Sequence, residues 1–148
     1  MLSGEVHDPN AWAMGGVSGH AGLFGTARDV YRFGRLATLS WQGKGPLNTE
    51  MLGDFARRAM IVDGSDRALG WDTPTEGISC SGGMFGPDSV GHLGYVGTSL
   101  WIDLAKGRVV VLLTNRVHPD DTTASRQAMR AFRPGLHDAV WSALEESA

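Results

Sequence analysis

The sequence predicts an α+β fold in which antiparallel sheet strands are flanked by helices. Three observations lead to this fold class. Two segments with a helical spacing of apolar residues fall before residue 60, and two short apolar runs, Ser99 to Leu104 and Arg108 to Thr114, come later. A further helical pattern, which begins near Pro134, closes the chain. This order of helices, strands and helices, with no internal repeat, is typical of the α+β class.

The N-terminal half is predicted to contain an irregular lead-in of two dozen residues and then a pair of helices. Thr26 offers a hydroxyl N-cap with Asp29 three residues later, and the apolar spacing that follows predicts a helix over residues 27–40. A segment with two glycines and a proline interrupts this pattern. Asn48 or Thr49 then caps a second helix with one apolar face. We expect a helical hairpin.

The C-terminal half is predicted to hold the sheet and the closing helices. Leu69 to Trp71 is strand-like, and Val90 to Gly94 begins a strand that must bend at its glycines. The two apolar runs named above, joined by a short turn, should pair as an antiparallel hairpin. A helix capped within Asp120 to Thr122 is expected to end at Phe132, and Pro134 is expected to open a separate last helix on a face of the sheet.

Length, charge and hydropathy narrow the class of protein. With 148 residues the chain fits one domain, and a net charge of −3 without a dense Lys/Arg cluster argues against nucleic acid as a partner. The longest strongly apolar run, Val109 to Leu113, is far short of the roughly 20 residues of a membrane-spanning helix, so no membrane segment is predicted. The single cysteine, Cys80, excludes an internal disulfide but fits cytoplasm and periplasm alike, so localisation stays open.

Several reactive side chains are better explained as structural than as functional. Ser18 lies in a glycine-rich segment, but Gly-x-Ser-x-Gly fails at His20, so a turn or pocket-rim role is expected. Trp71 and Trp101 lie in strand patterns and are predicted to be core residues. The histidines show no zinc-type spacing, and no metal site is predicted. Four acids are expected at a helix start or in loops and turns: Asp29, Asp8, Asp63 and Asp103.

The most informative segment is Gly91 to Asp103, where a histidine begins a glycine-punctuated strand. Because Gly94 has no side chain, a ligand can lie against this strand and hydrogen-bond to its backbone. His92 adds a titratable group at the same point. Together these features predict a ligand-binding strand rather than an ordinary core strand.

The motif His92-Leu93-Gly94 resembles the His-x-Gly form of the Lys-Thr-Gly motif on the active-site strand of penicillin-binding and class C β-lactamase-like serine hydrolases. Two further segments extend the resemblance over nearly the whole chain. Residues 13–33 contain Gly-His-Ala-Gly-Leu-Phe and then Thr-Ala-x-Asp-Val, similar to the family's glycine-rich segment before a helix, and residues 113–119 resemble the exit of the next strand. The resemblance implies a partial β-lactamase/transpeptidase-like fold.

The resemblance also implies roles for the residues of this motif. His92 would orient a substrate carboxylate or carbonyl, and Leu93 and Gly94 would belong to the substrate-binding strand. The backbone N–H of Tyr95 would form one half of an oxyanion hole. The implied reaction is acyl transfer or hydrolysis through an acyl-serine intermediate, with no cofactor, on a small-molecule ester, a D-amino-acid peptide or a β-lactam.

The motifs that would carry the nucleophile are missing from this sequence. The family's Ser-x-x-Lys needs a lysine three residues after a serine, but Lys44 and Lys106 are the only lysines and neither fits. Neither Tyr31 nor Tyr95 begins the second motif, Tyr-x-Asn or Tyr-x-Ser. We therefore expect residues 1–148 to be one incomplete domain, the C-terminal fragment of such a hydrolase, which is inactive alone.

Within that fragment, residues 1–68 are expected to belong to the helical subdomain and residues 69–148 to supply the C-terminal strands and closing helix. In the family, strands from the N-terminal end of the enzyme complete the sheet, so Val109 to Leu113 should form an apolar edge open to self-association. A rival hypothesis is a stand-alone, non-catalytic binding module that keeps the cleft strand. An upstream reading frame that encodes the missing motifs would favour the fragment, and a stop codon there would favour the module.

Overall fold

The computed structural model describes residues 3–59, 61–77 and 79–146, within which four helices and three strands lie. Three helices precede the strands and one long helix follows them, which confirms the predicted α+β class. No helix in these ranges is long and apolar enough to cross a membrane. The elements are α1 (Pro9–Ala13), α2 (Ala27–Trp41), α3 (Thr49–Ala56), β1 (Ser89–Leu93), β2 (Ser99–Asp103), β3 (Arg108–Leu112) and α4 (Thr123–Glu146).

The first helices begin where the sequence offers capping side chains. The Thr26 side chain accepts a hydrogen bond from the Asp29 amide, and the Asp29 carboxylate accepts one from the Thr26 amide, which completes a capping box at the start of α2. Asn48 caps α3 in the same way through its side chain. The lead-in, predicted to be irregular, holds α1, which Asp8 caps through the Ala11 amide. An acid followed by proline fits a turn as well as a helix start, so the sequence pattern did not separate the two.

The three strands form an antiparallel sheet in the order β1-β2-β3, which confirms the predicted hairpin of β2 and β3. Trp101 pairs with Gly91 on one side and with Val110 on the other, so these three residues face the same side of the sheet. His92 pairs with Leu100 and faces the opposite side. Position 91 requires glycine, because a Cβ there would overlap the Trp101 indole.

Side chains from helices cover both faces of the sheet. On one face α2 packs against β2 and β3, and the buried core consists of Ala37, Val90, Ile102 and Leu104. On the other face α4 contributes to a second core, which consists of Phe85, Trp101, Val110 and Trp141. Trp101 is buried, as predicted, whereas Trp71 is only half-buried and packs against the margin of the first core.

Two further predictions of secondary structure are wrong. The sequence predicts two helices after β3, but α4 runs without a break through Pro134. Leu69 to Trp71 forms no strand, because Gly70 has a φ of 81° and turns the chain. In α4, burial of one continuous stripe outweighs the hydrogen bond that proline cannot make. The stripe consists of residues at four-residue spacing: Arg133, His137 and Trp141.

Candidate active site

His92 stands at the exposed end of β1. Its Nδ1 lies 2.9 Å from the carbonyl oxygen of Leu93, so Nδ1 carries the proton when the ring is neutral and donates it to that carbonyl. Within the described part of the chain, Nε2 has no hydrogen-bond partner. The outer nitrogen of His92 is therefore available to a ligand.

The turn that follows β1 carries Tyr95. It spans Gly94 to Thr98 and is closed by hydrogen bonds from Gly94 N to Thr98 O (2.8 Å) and from Gly97 N to Gly94 O (3.0 Å). A φ of 100° at Gly97 requires glycine there, and a Cβ at Gly94 would overlap the Thr98 side chain. These glycines reverse the direction of the chain, so β1 ends at Leu93. The sequence instead predicts a strand that continues and bends at its glycines.

The backbone amide of Tyr95 is available as a hydrogen-bond donor. No acceptor for it is found among residues 3–59, 61–77 and 79–146. Tyr95 is 56% exposed, so the turn is open to solvent. The four residues named by the sequence motif, His92 to Tyr95, thus form one continuous rim, which we call the β1 rim.

The Tyr95 side chain lies in a cluster of charged groups. Its hydroxyl donates to the Asp121 carboxylate, and Arg116 and Arg126 donate to the same carboxylate at 2.6 and 3.4 Å. These bonds, first the one from Tyr95 and then those from the two arginines, hold the pKa of Asp121 well below its usual range. The guanidinium carbons lie 4.6 and 5.6 Å from the centre of the Tyr95 ring. The ring of His7 stacks on it at a centroid distance of 5.8 Å.

Sequence reasoning singled out the four residues of the β1 rim, whose roles stay predictions, but missed the groups that surround Tyr95. Arg116 lies in the segment after β3 that carries part of the family resemblance, so that segment was a signal for it. His7 and Arg126 gave no signal, because no spacing rule connects the lead-in or the first turns of α4 with the turn after β1.

A second hydrogen-bonded chain joins Asp8, His20 and Ser18. Asp8 Oδ1 lies 3.0 Å from His20 Nε2, and Ser18 Oγ lies 2.6 Å from His20 Nδ1. A carboxylate only accepts, so Nε2 carries the proton and Nδ1 accepts from the Ser18 hydroxyl in the neutral ring. Ser18 Oγ also accepts from the His20 amide at 3.3 Å. The Ala11 amide and then His20 lower the pKa of Asp8. These contacts hold the glycine-rich segment against Asp8, the N-cap of α1.

The β1 rim is open rather than enclosed. A cavity of about 680 Å³ lies elsewhere, between α3 and residues 73–76 and 85–88, and neither His92 nor Tyr95 lines it. In the described ranges, no group of three or more His, Cys, Asp or Glu side chains could hold a metal ion. Because catalytic sites are usually concave, the rim needs further walls to enclose a substrate.

A match to a protein-family model identifies the family of this chain. The model described as Beta-lactamase matches residues 2–132. The chain belongs to the beta-lactamase family. The match includes the glycine-rich segment and all three strands, which confirms the resemblance drawn from His92-Leu93-Gly94 and its flanking segments. It does not test the roles of single residues, so those of His92 and Tyr95 stay predictions.

Curated relatives of this family member come from several Salmonella strains. Proteins named "Putative D-alanyl-D-alanine carboxypeptidase" from Salmonella agona, Salmonella paratyphi B and Salmonella newport are each 37% identical to it over 130 residues. The matches cover 79% of this chain, and the chain spans only 28% of the length of each relative. No solved structure matches.

Proposed function

We propose that this chain supplies one half of the active site of a serine hydrolase, the half that binds the substrate carbonyl. The observation that carries the proposal is the β1 rim. Here the exposed His92 ring and the Tyr95 amide, which has no acceptor among the described residues, lie within four consecutive residues. Membership of the beta-lactamase family supports the reaction class.

The β1 rim suits the chemistry of acyl transfer. When a serine hydroxyl attacks an ester, amide or β-lactam carbonyl, negative charge develops on the carbonyl oxygen. A backbone N–H such as that of Tyr95 stabilises this charge, and loss of one such donor costs about 3 to 4 kcal/mol. His92 Nε2 accepts a hydrogen bond when the ring is neutral and donates one when it is protonated, so it can bind a substrate amide, carbonyl or carboxylate.

The nucleophile is proposed to come from residues outside this sequence, which makes the chain inactive alone. No serine here is followed three residues later by a lysine. Ser18 contacts His20, but the hydrogen-bonded chain of Asp8, His20 and Ser18 is exposed, and each of these residues already has a structural role. The open form of the rim supports the same proposal, because the missing segment would also supply the opposite wall of the cleft.

Peptides that end in D-Ala-D-Ala are the first substrates to consider. The name of the Salmonella relatives refers to D-alanyl-D-alanine carboxypeptidase. Such a peptide ends in a carboxylate, and Arg126, with 52% of its side chain exposed beside the Tyr95 ring, places a cation near the rim. Esters and β-lactams react by the same acyl-serine chemistry and belong to the same proposal.

The free edge of β3 is proposed to pair with a second copy when the chain is alone. Within the described residues β3 pairs only with β2. Val109 to Leu113 contains no charge and no proline, and an unprotected edge of this kind pairs with strands of other chains. In the complete hydrolase, we propose that a strand from the missing segment covers it.

A chimera tests the proposed function. In this chimera, the present chain replaces the segment of the Salmonella agona relative that it matches. We expect the chimera to release D-alanine from a peptide ending in D-Ala-D-Ala, and a nitrophenyl ester and a chromogenic cephalosporin assayed in parallel to rank the acyl donors. A folded chimera that turns over none of the three, beside an active unaltered relative, would count against the proposal.

A further inference from the structure

Arg133 of α4 reaches through the interior to the turn that carries Tyr95. The residue is only 6% exposed. Its Nη2 donates to the carbonyl oxygens of Gly94 (3.2 Å) and Thr98 (3.0 Å), and its Nε donates to that of Gly97 (3.3 Å). One guanidinium group therefore holds three of the five carbonyls between Gly94 and Thr98.

Arg133 differs from the nearby arginines in having no carboxylate partner among the described residues. Arg116 and Arg126 both pair with Asp121. Burial lowers the pKa of Arg133, but an arginine remains charged at neutral pH. Because a buried charge is tolerated only when it is well hydrogen-bonded, the guanidinium group depends on the turn carbonyls as much as they depend on it.

The peptide unit between Gly94 and Tyr95 connects this contact to the β1 rim. The Gly94 carbonyl and the Tyr95 amide belong to the same planar group and point in opposite directions. A hydrogen bond that fixes the carbonyl towards Arg133 therefore also fixes the direction of the Tyr95 N–H. The Val96 carbonyl is held separately, by the Arg116 amide (2.9 Å) and the Thr114 hydroxyl (3.2 Å), which keeps the rest of the turn from rotating.

We propose that Arg133 is a positioning residue, which orients the Tyr95 amide towards the substrate carbonyl by anchoring the Gly94 carbonyl of the same peptide unit. This inference rests on the proposed function, in which the Tyr95 amide is an oxyanion donor. Arg133 itself lies buried behind the turn and acts through that peptide unit.

Amide hydrogen exchange on this chain tests the anchoring step. Arg133→Met removes every donor, Arg133→Lys keeps the charge, and Arg130→Met is the matched control because Arg130 is exposed on the same helix. In Arg133→Met we expect the Gly94 and Gly97 amides to exchange about tenfold faster or more, the scale of one lost hydrogen bond. Arg133→Lys should be intermediate and Arg130→Met unchanged. Exchange of the β2 amides measures global unfolding and serves as the reference. If Arg133→Met leaves the exchange rates of the turn amides, relative to those of β2, the same as in the unaltered chain, the proposal is overturned.

The chimera tests the catalytic step. Arg133→Met should lower kcat about tenfold or more with KM within about twofold, because an oxyanion donor acts in the transition state, and Arg133→Lys should restore part of the loss. An unchanged kcat together with a loosened turn would overturn the positioning role and also count against Tyr95 as the oxyanion donor. An unchanged kcat together with an unchanged turn would overturn the role of Arg133 and leave the proposed function standing.

Discussion

Gly34 of α2 lies so close to Val109 of β3 that a Cβ on Gly34 would stand 2.5 Å from Val109 Cγ1. Gly34→Ala must therefore push α2 away from the sheet or displace the valine. Alanine favours the helix by about 1 kcal/mol, but overpacking costs about 1 to 3 kcal/mol. We expect the variant to lose about 1 kcal/mol of unfolding free energy, measured by urea denaturation.

Gly53 of α3 provides the matched control, since nothing lies within 4 Å of a Cβ built there. Gly53→Ala should gain about 0.5 to 1 kcal/mol from helix propensity alone. If both alanine variants are stabilised, the close approach of α2 to β3 is wrong.

His137 of α4 predicts a loss of stability in mild acid. It is fully buried, with Nδ1 2.8 Å from the Cys80 carbonyl oxygen and Nε2 3.1 Å from the Ser99 hydroxyl, so the neutral ring is satisfied. Burial lowers its pKa from the ordinary value of 6.5. As the pH falls below 6.5, the His137 side chain becomes protonated in the unfolded chain but stays neutral in the folded chain. The free energy of unfolding should therefore fall between pH 7 and pH 5, by at most about 1.4 kcal/mol per pH unit for this group.

Two glutamine variants distinguish the contribution of His137 to the pH dependence of stability from that of an exposed histidine. His137→Gln should be less stable at pH 7 but should show a flatter pH dependence, whereas His118→Gln, at an exposed position, should keep the original slope. Urea denaturation at pH 5, 6 and 7 gives the slopes. Equal slopes for His137→Gln and the unaltered chain would assign the acid sensitivity to other groups.

The β3 edge should make the isolated chain associate. Leu113, 43% exposed at the end of the apolar run, is a position where a charge should block strand pairing without disturbing the core. In sedimentation velocity, we expect concentration-dependent oligomers for the unaltered chain and a shift of Leu113→Lys towards the 15.8 kDa monomer.

Leu144 of α4 is a fair comparison for the edge position, since it is 40% exposed and lies outside the sheet. Leu144→Lys should associate like the unaltered chain. A chain that remains monomeric at all concentrations, with a cooperative thermal transition, would contradict the open edge and favour a stand-alone module.

His92 should matter for acylation in the chimera. His92→Ala removes the ring that we propose binds the substrate, and we expect acylation to slow by about one to two orders of magnitude, the scale of one oriented hydrogen bond in the transition state. Rapid-mixing kinetics with the nitrophenyl ester measure this step. His118→Ala is the control, and equal rates in the two variants would remove His92 from the site.

Local sequence patterns predicted the secondary structure correctly where it depends on residues that are close together in the sequence. The capping box at Thr26 and the strand that carries His92 are of this kind. They failed at Pro134, where the buried stripe of α4 outweighs a local preference. Contacts across the fold were also beyond reach, because the bond from Arg133 to the Gly97 carbonyl joins residues 36 positions apart and follows from the docking of α4.

Covalent labelling with a fluorophosphonate, followed by mass-spectrometric mapping, tests most directly whether the nucleophile lies outside this chain. We predict that the chimera is labelled at a serine contributed by the Salmonella agona sequence. The chain alone should stay unlabelled and should hydrolyse neither the nitrophenyl ester nor the cephalosporin above background. Ser18 is the residue to watch, because its Oγ lies 2.6 Å from His20 Nδ1. A label on Ser18 of the isolated chain, lost in Ser18→Ala, would place a nucleophile within these 148 residues and contradict the proposed division of the site.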